Sequence, residues 1–494
     1  MSPSMSPSGT PSTPPTPARW TLPDRPDLDW LRARAKRLRR GAAAGEPDAV
    51  ALVAAYDPGP GPITLARAQR VLARAHDFAG WSRLVEHVAT RTALTRTVQP
   101  QPDPADSDVD RFLRLACLSY TEPPVAAQAR AMLDADPSLA DRSAATMAAC
   151  GRAAELADRL AADPAAVHRE DGPHRWPPLL YLSYARLDRG DPVATLRVLL
   201  SAGADPNSGF LWHGLPSPFT ALTGVLGGGE RDEPPHPAAA ALAELLLAAG
   251  ADPNDNQAFY NRQFRPDNGH LPPLLRHGAG RPHPSPWRDR LGTAYPSPAE
   301  MVGDHLRSAA RHGFDERVRI LLEHGVDPNT RGYHPVLGDL TAYETAIRFG
   351  HAAVAARLAA AGGRSDRIDD ADRLVAAARA GDEATVAALR DRATDLPRRR
   401  PQALRIAAES SDIGALARLL ELGYPVDAAG PDRVTALHEA ALRGDVAMCD
   451  WLLTRGADRT ILDRRFGATP AGWAAHAGHR ELADRLTPDA RPGG

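Results

Sequence analysis

The chain has 494 residues, with 59 basic and 61 acidic side chains and a formal net charge of −2. So even a balance gives no long-range pull toward nucleic acid or an anionic membrane, and no apolar run reaches the roughly 18–20 residues that span a bilayer. The three cysteines, Cys117, Cys150 and Cys449, are isolated and odd in number; they make no disulfide framework and read as buried reduced thiols of a cytoplasmic protein.

Residues 1–18 are almost only Met, Ser, Pro, Thr and Gly. Such a tract cannot bury enough apolar surface to fold, so a disordered tail is expected. It lacks the cationic start and apolar stretch of a secretory signal. A helical segment is predicted over 20–91. Its first helix, Trp30–Arg40, is capped by Asp27 or Asp29, and Leu31, Ala35 and Leu38 share one face. Helices over Glu46–Tyr56, Thr64–Ala75 and Trp81–Thr90 follow, Thr64 capping the third. Phe78, Trp81 and Leu84 are expected against Leu65, Val71 and Leu72. Pro, Asp and Thr mark 92–109 as a linker.

Beyond it, Arg111–Asp136 and Ala144–Pro164 each read as a helix pair. Gly203–Asn207 and Gly250–Asn254 then spell G-A-D-P-N, and Gly325–Asn329 spells G-V-D-P-N. Looser versions stand at Gly362–Asp366 and Gly423–Asp427. Each follows a Leu-rich or Ala-rich helix, such as Leu196–Leu200 or Leu416–Leu420. Two stretches break the pattern, near 208–237 and 255–298, and both carry Pro with aromatic or Gly residues. In repeat arrays such insertions emerge on one face, often the binding face.

The clearest unit is the last complete one. Thr435 and Thr469 are 34 residues apart. Thr435 can cap a helix in which Leu437, Ala440 and Ala441 make a narrow apolar face. Gly444 ends it. Val446, Cys449, Trp451, Leu452 and Leu453 build a second helix, which Gly456 closes. One such pair cannot cover its own apolar surface, so about three or more must stack. Residues 488–494 read as a second disordered tail.

Thr435-Ala436-Leu437-His438-Glu439-Ala440, Gly444-Asp445, Leu452-Leu453 and Gly456-Ala457-Asp458 together resemble the ankyrin repeat, with Ala436 where that signature has Pro. The resemblance implies an all-α helical-repeat solenoid of about ten or eleven units over 110–487, interrupted by the two insertions. The segment before it, through Leu31–Leu38 and Ala68–Val88 with Phe78 and Trp81, resembles a helical segment that often precedes ankyrin arrays in bacterial proteins.

Catalytic chemistry finds little support. His438 beside Glu439 is the tempting pair, but the resemblance implies that this histidine ties adjacent repeats together. His270, His277 and His283 have spacings of 7 and 6 and no cysteine, which suits no metal site. There is no nucleophile elbow, phosphate loop or H-E-x-x-H motif. The expectation is a non-enzyme with no catalytic residue, cofactor or metal. The basic run Arg32–Arg40 shares its helix with Leu31 and Leu38 and reads as a solvated face, and Arg398-Arg399-Arg400 is too short to track phosphates.

The reading is a monomeric protein-interaction scaffold or regulator that binds a protein partner, with nucleic acid disfavoured and no membrane. The resemblance implies binding along the concave face of loop tips and first helices. Aromatics and arginines make good anchors, which picks out Arg331, Tyr333, Arg464, Arg465 and Phe466 at the tips. Phe210, Trp212, Tyr260 and Phe264 of the insertions extend that surface. Two alternatives stay open. One is a ligand or catalytic pocket in 255–298 using Asn256, Asn261, Asp267 and His270. The other is nucleic-acid regulation through the basic helix 30–40.

Overall fold

The computed structural model describes residues 20, 22, 26–96, 98, 103–120, 125–332, 339–365 and 367–487. The tails expected at 1–18 and 488–494 lie outside them. Among the described residues there are 28 α-helices and three short strands. In chain order these begin with α1 (Leu28–Ala43), α2 (Pro47–Tyr56), α3 (Leu65–Ala75), α4 (Trp81–Leu94), β1 (Thr95–Arg96), α5 (Asp108–Ala116), α6 (Ala126–Ala135), α7 (Ala144–Ala149) and α8 (Ala153–Ala162). Next come α9 (Pro178–Tyr184), α10 (Pro192–Ser201), β2 (Gly209–Trp212), β3 (Pro218–Thr220), α11 (Ala221–Leu226), α12 (Ala239–Ala248), α13 (Asn256–Arg262), α14 (Leu271–Arg276) and α15 (Pro286–Leu291). The rest are α16 (Pro298–His312), α17 (Asp315–Glu323), α18 (Ala342–Arg348), α19 (Ala352–Ala360), α20 (Asp370–Ala380), α21 (Glu383–Leu389), α22 (Leu396–Arg399), α23 (Ala403–Glu409), α24 (Ile413–Glu421), α25 (Ala436–Leu442), α26 (Val446–Leu453), α27 (Pro470–His476) and α28 (Arg480–Leu486).

Two units divide the chain. The first takes the residues up to Asn261 together with Pro284–Tyr295, and the second takes Arg262–His283 and everything from Pro296 on.

The first unit opens with α1–α4. Asp27 caps α1 by accepting the Asp29 N–H at 2.8 Å, and Thr64 caps α3 by accepting that of Arg67 at 3.2 Å. Leu31, Ala35, Val71, Leu72 and Leu84 are fully buried, as the apolar spacing requires. Four helix pairs follow, α5/α6, α7/α8, α9/α10 and α11/α12, each pair packed internally and each first helix on the next.

Two differences from the sequence expectation meet in this unit. The linker 92–109 is structured at its start, because α4 runs to Leu94 and β1 pairs in parallel with β2, Thr95 opposite Leu211. Arg96 anchors it, donating to the Glu170 carboxylate at 2.7 and 2.6 Å. The insertion at 208–219 is not a surface loop either. It is an antiparallel hairpin, β2 against β3, with Phe210 opposite Phe219. Phe210 lies 5.0 Å from Trp176, 5.6 Å from Phe219 and 5.9 Å from Tyr184, ring to ring. That burial outweighs the short length of the strands.

The second unit is a solenoid of six helix pairs, α16/α17, α18/α19, α20/α21, α23/α24, α25/α26 and α27/α28. Its core from Ala371 onward is mostly Ala and Leu, the small alanines letting successive first helices approach closely.

The repeated sequence words have a physical role. The Asn that ends G-x-D-P-N bridges to the following repeat: Asn207 Nδ2 donates to Gly250 O at 2.9 Å while its Oδ1 accepts the Asp252 N–H at 2.8 Å. Asn329 does the same with Gly362 O at 3.1 Å and the Arg364 N–H at 2.9 Å. The N-cap residue of the first helix and the residue three on form reciprocal capping boxes at Thr220/Thr223, Thr341/Glu344, Asp369/Asp372 and Thr435/His438. His438 shows how such a box also joins repeats. Its Nδ1 accepts the Thr435 N–H at 3.3 Å, which leaves Nε2–H to donate to Ala468 O at 3.2 Å. This is a structural histidine, and burial lowers its proton affinity. The three cysteines are free and buried, and burial pushes the Cys150 and Cys449 thiols up to about 12.

Candidate functional site

The loop before α27 carries the most exposed large apolar side chain among the described residues, Phe466, at 75 %. Arg464 and Arg465 stand beside it. Asp463, almost fully buried, sets the turn. Its carboxylate accepts the N–H groups of Arg465 at 2.7 Å, Phe466 at 2.8 Å and Ala468 at 3.0 Å, and the indole N–H of Trp473 at 3.0 Å. Burial opposes its ionisation, but the Trp473 and backbone donors outweigh that and hold the carboxyl at about 2. The preceding repeat steadies the same loop. Arg464 N–H donates to Asp432 O at 2.7 Å, and Arg465 Nη2 pairs with the Asp432 carboxylate at 2.8 Å. Phe466 therefore projects from a loop with little freedom left to lose, the condition for an inexpensive anchor. Sequence reading missed Asp463; its offset of three before Phe466 and ten before Trp473 is the signal that was there.

Of the other expected site residues, Arg331 is at the surface. It donates from Nη1 to Asp339 O at 2.8 Å and lies 3.5 Å from the buried Glu344 carboxylate, so part of its charge is spent on the next repeat. Tyr333 lies outside the described residues. Phe210 is 3 % exposed and belongs to the aromatic core; its assignment to a partner surface is corrected. Trp212 is half-buried, its ring 5.7 Å from Phe219. Tyr260 is half-buried and donates to Glu230 at 2.8 Å. Phe264 is half-buried. The structure thus brings Arg464, Arg465 and Phe466 together and leaves the insertion aromatics largely to packing.

The pocket residues suggested for 255–298 are each engaged in structure. Asn256 Nδ2 donates to Ser217 at 3.0 Å, Asn261 accepts from Gln257 at 2.8 Å, Asp267 pairs with Arg262, and His270 meets His305 Nε2 to Nε2 at 2.9 Å. Among the described residues no group of three or more His, Cys, Asp or Glu side chains is placed to hold a metal. A different part of that insertion, Arg288–Gly292 with Ala294, lines an open cleft of about 830 Å³ in the first unit. Trp20, His76, Phe78, Arg83, His87 and Arg91 line it too. Burial lowers the proton affinity of both histidines. The basic helix α1 buries Leu31 and Ala35, Arg32 pairs with Asp29 at 2.9 Å, and Arg34 lies 4.2 Å from the centre of the Trp20 ring. Its charges are partly spent within the chain, as on a solvated face. Among the described residues no helix is long and apolar enough to cross a membrane.

Comparison with known proteins bears on one end of the chain. Residues 404–492 match the family model for ankyrin repeats, in three copies. They take in the pairs α23/α24, α25/α26 and α27/α28 and the Asp463–Phe466 loop. No curated protein matches the chain. Ankyrin repeats generally mediate protein–protein interaction and are typically non-catalytic.

Proposed function

We propose that the chain is a non-enzymatic, monomeric scaffold or regulator of the cytoplasm that binds a protein partner along its loop tips and first helices. The observation that carries this reading is the Arg464–Phe466 tip, an exposed aromatic directly after two arginines on a loop held by the Asp463 carboxylate. An anchor of this kind gives area and directional hydrogen bonds with little entropy lost on binding. The test compares affinity capture by the intact chain and by a variant carrying Arg464→Ala and Phe466→Ala, which leaves Asp463 in place. Loss of a captured protein with unchanged thermal stability is the expected result. Identical capture by both chains refutes the assignment of the tip.

A second reading rests on the cleft of about 830 Å³ in the first unit, a size that accommodates a small molecule. Mass spectrometry of small molecules that co-purify with the native chain tests it. A compound that Ala79→Trp displaces is expected, and none in either sample refutes it.

A further inference from the structure

The row of first helices in the second unit is interrupted once. Between α21 and α23 the chain inserts the four-residue helix α22, which carries the arginine run 398–400. Beside it lies a recess of about 280 Å³. Arg348 from the end of α18, Asp372 and Val375 from α20, Arg399, Arg400 and Ile406 from α23 line it.

The charges in this recess are unevenly used. Asp372 is the capping-box residue of α20 and only 1 % exposed. Its carboxylate accepts Arg400 Nη2 at 2.7 Å, and Arg348 Nε stands 3.3 Å away. Asp369 takes Arg399 Nη2 at 2.8 Å and a second contact from Arg400 at 3.0 Å. Arg400 is thereby committed, since its Nη1 also donates to Arg399 O at 2.8 Å. Arg348 and Arg399 are not. Nη1 and Nη2 of Arg348, and Nη1 and Nε of Arg399, have no partner among the described residues. The two side chains are 34 % and 39 % exposed. Three guanidiniums face two carboxylates, which leaves the recess one positive charge in excess.

A guanidinium edge with spare N–H groups matches a carboxylate in geometry and charge. The recess falls just under the range typical of small-molecule pockets, yet it has room for an amino-acid side chain. Val375 and Ile406 add an apolar wall. We infer that this recess receives the carboxylate of an Asp or Glu side chain from an extended segment of the protein partner, clasped between Arg348 and Arg399 while Arg400 stays bound to Asp372. This inference rests on the reading of the chain as a partner-binding scaffold and names the chemistry of that partner.

The experiment is selection of a displayed random-peptide library on the full chain at low salt, followed by binding of the enriched peptides to the intact chain and to a variant carrying Arg348→Gln and Arg399→Gln. Circular dichroism and the denaturation midpoint confirm that the variant is folded. A second variant with Arg399→Lys alone keeps the charge and loses the fork. The expected result is enrichment of peptides with Asp or Glu whose affinity falls about tenfold or more in the double variant, falls in Arg399→Lys, and weakens with salt. Enriched peptides that lack Asp and Glu, or that bind the double variant equally well, overturn the inference and leave the scaffold reading standing. No enrichment on any chain overturns both.

Discussion

Replacing Asp463 by Ala tests whether one buried carboxylate holds the candidate tip. The substitution removes four accepted hydrogen bonds at once. The Arg465 and Phe466 amides lie on an exposed loop and can turn to water, so each costs a fraction of a kcal/mol. The Trp473 indole N–H cannot, because that ring is only 8 % exposed; an orphaned donor there costs roughly 1–3 kcal/mol. The Ala468 amide adds a little, and its carbonyl is the one that His438 binds. The sum is roughly 2–4 kcal/mol. Titration gives an independent check. A carboxyl held at about 2 rather than 3.8 corresponds to roughly 2 kcal/mol. The folded value is the lower one, so this contribution is fully present above about pH 4 and is lost as pH falls toward 2. Each repeat touches only its neighbours, so the loss should open the tip and α27/α28 before the rest. Hydrogen exchange along the full chain, with urea denaturation, reads both effects. Unchanged protection at 464–476 in the Asp463→Ala chain, or a stability loss below about 0.5 kcal/mol, would refute the reasoning.

Two further perturbations address the rest of the fold. His174 and His236 are buried in the first unit and burial holds both near 3, below the ordinary 6.5. His236 Nδ1 accepts the Ala238 N–H at 3.0 Å, which requires the neutral ring. With folded values below unfolded ones, their contribution is complete above about pH 6.5 and declines as pH falls toward 3. We expect the unfolding free energy of the first unit, read from urea titrations, to drop between pH 6.5 and 4.5 by up to roughly 2–3 kcal/mol per ring, and His236→Gln to flatten the profile; an unfolding free energy constant over that range contradicts the assignment. Asn329→Ala removes both bonds to the following repeat and, since they are exposed, should cost about 1 kcal/mol. Denaturant unfolding measures it, and no change would mean that water replaces the bridge without loss.

The sequence by itself determined the repeating unit. The helix start at Thr435, the glycine stop at Gly456 and the recurring words that end at Asn207 and Asn329 all lie within one or two neighbouring repeats, so the spacing of residue types is enough to reveal them; the bridges those asparagines make, and the cap at Thr341, came from the structure. The role of His438 came from the ankyrin resemblance and not from spacing, and its partner Ala468 lies one repeat on. Tertiary structure decided the remainder. Phe210 in a Pro-flanked loop has the same letter whether it greets a partner or a core, and only Trp176, Tyr184 and Phe219 around it choose the core. Thr95 and Arg96 look like linker until β2, more than a hundred residues later, supplies the hydrogen bonds. Arg348 and Arg399 are 51 positions apart, and their shared recess exists because a short inserted helix breaks the stacking between them. Local hydrogen bonds and apolar periodicity are written in adjacent residues, whereas burial and the balance of charge depend on which distant segments fold onto the same place.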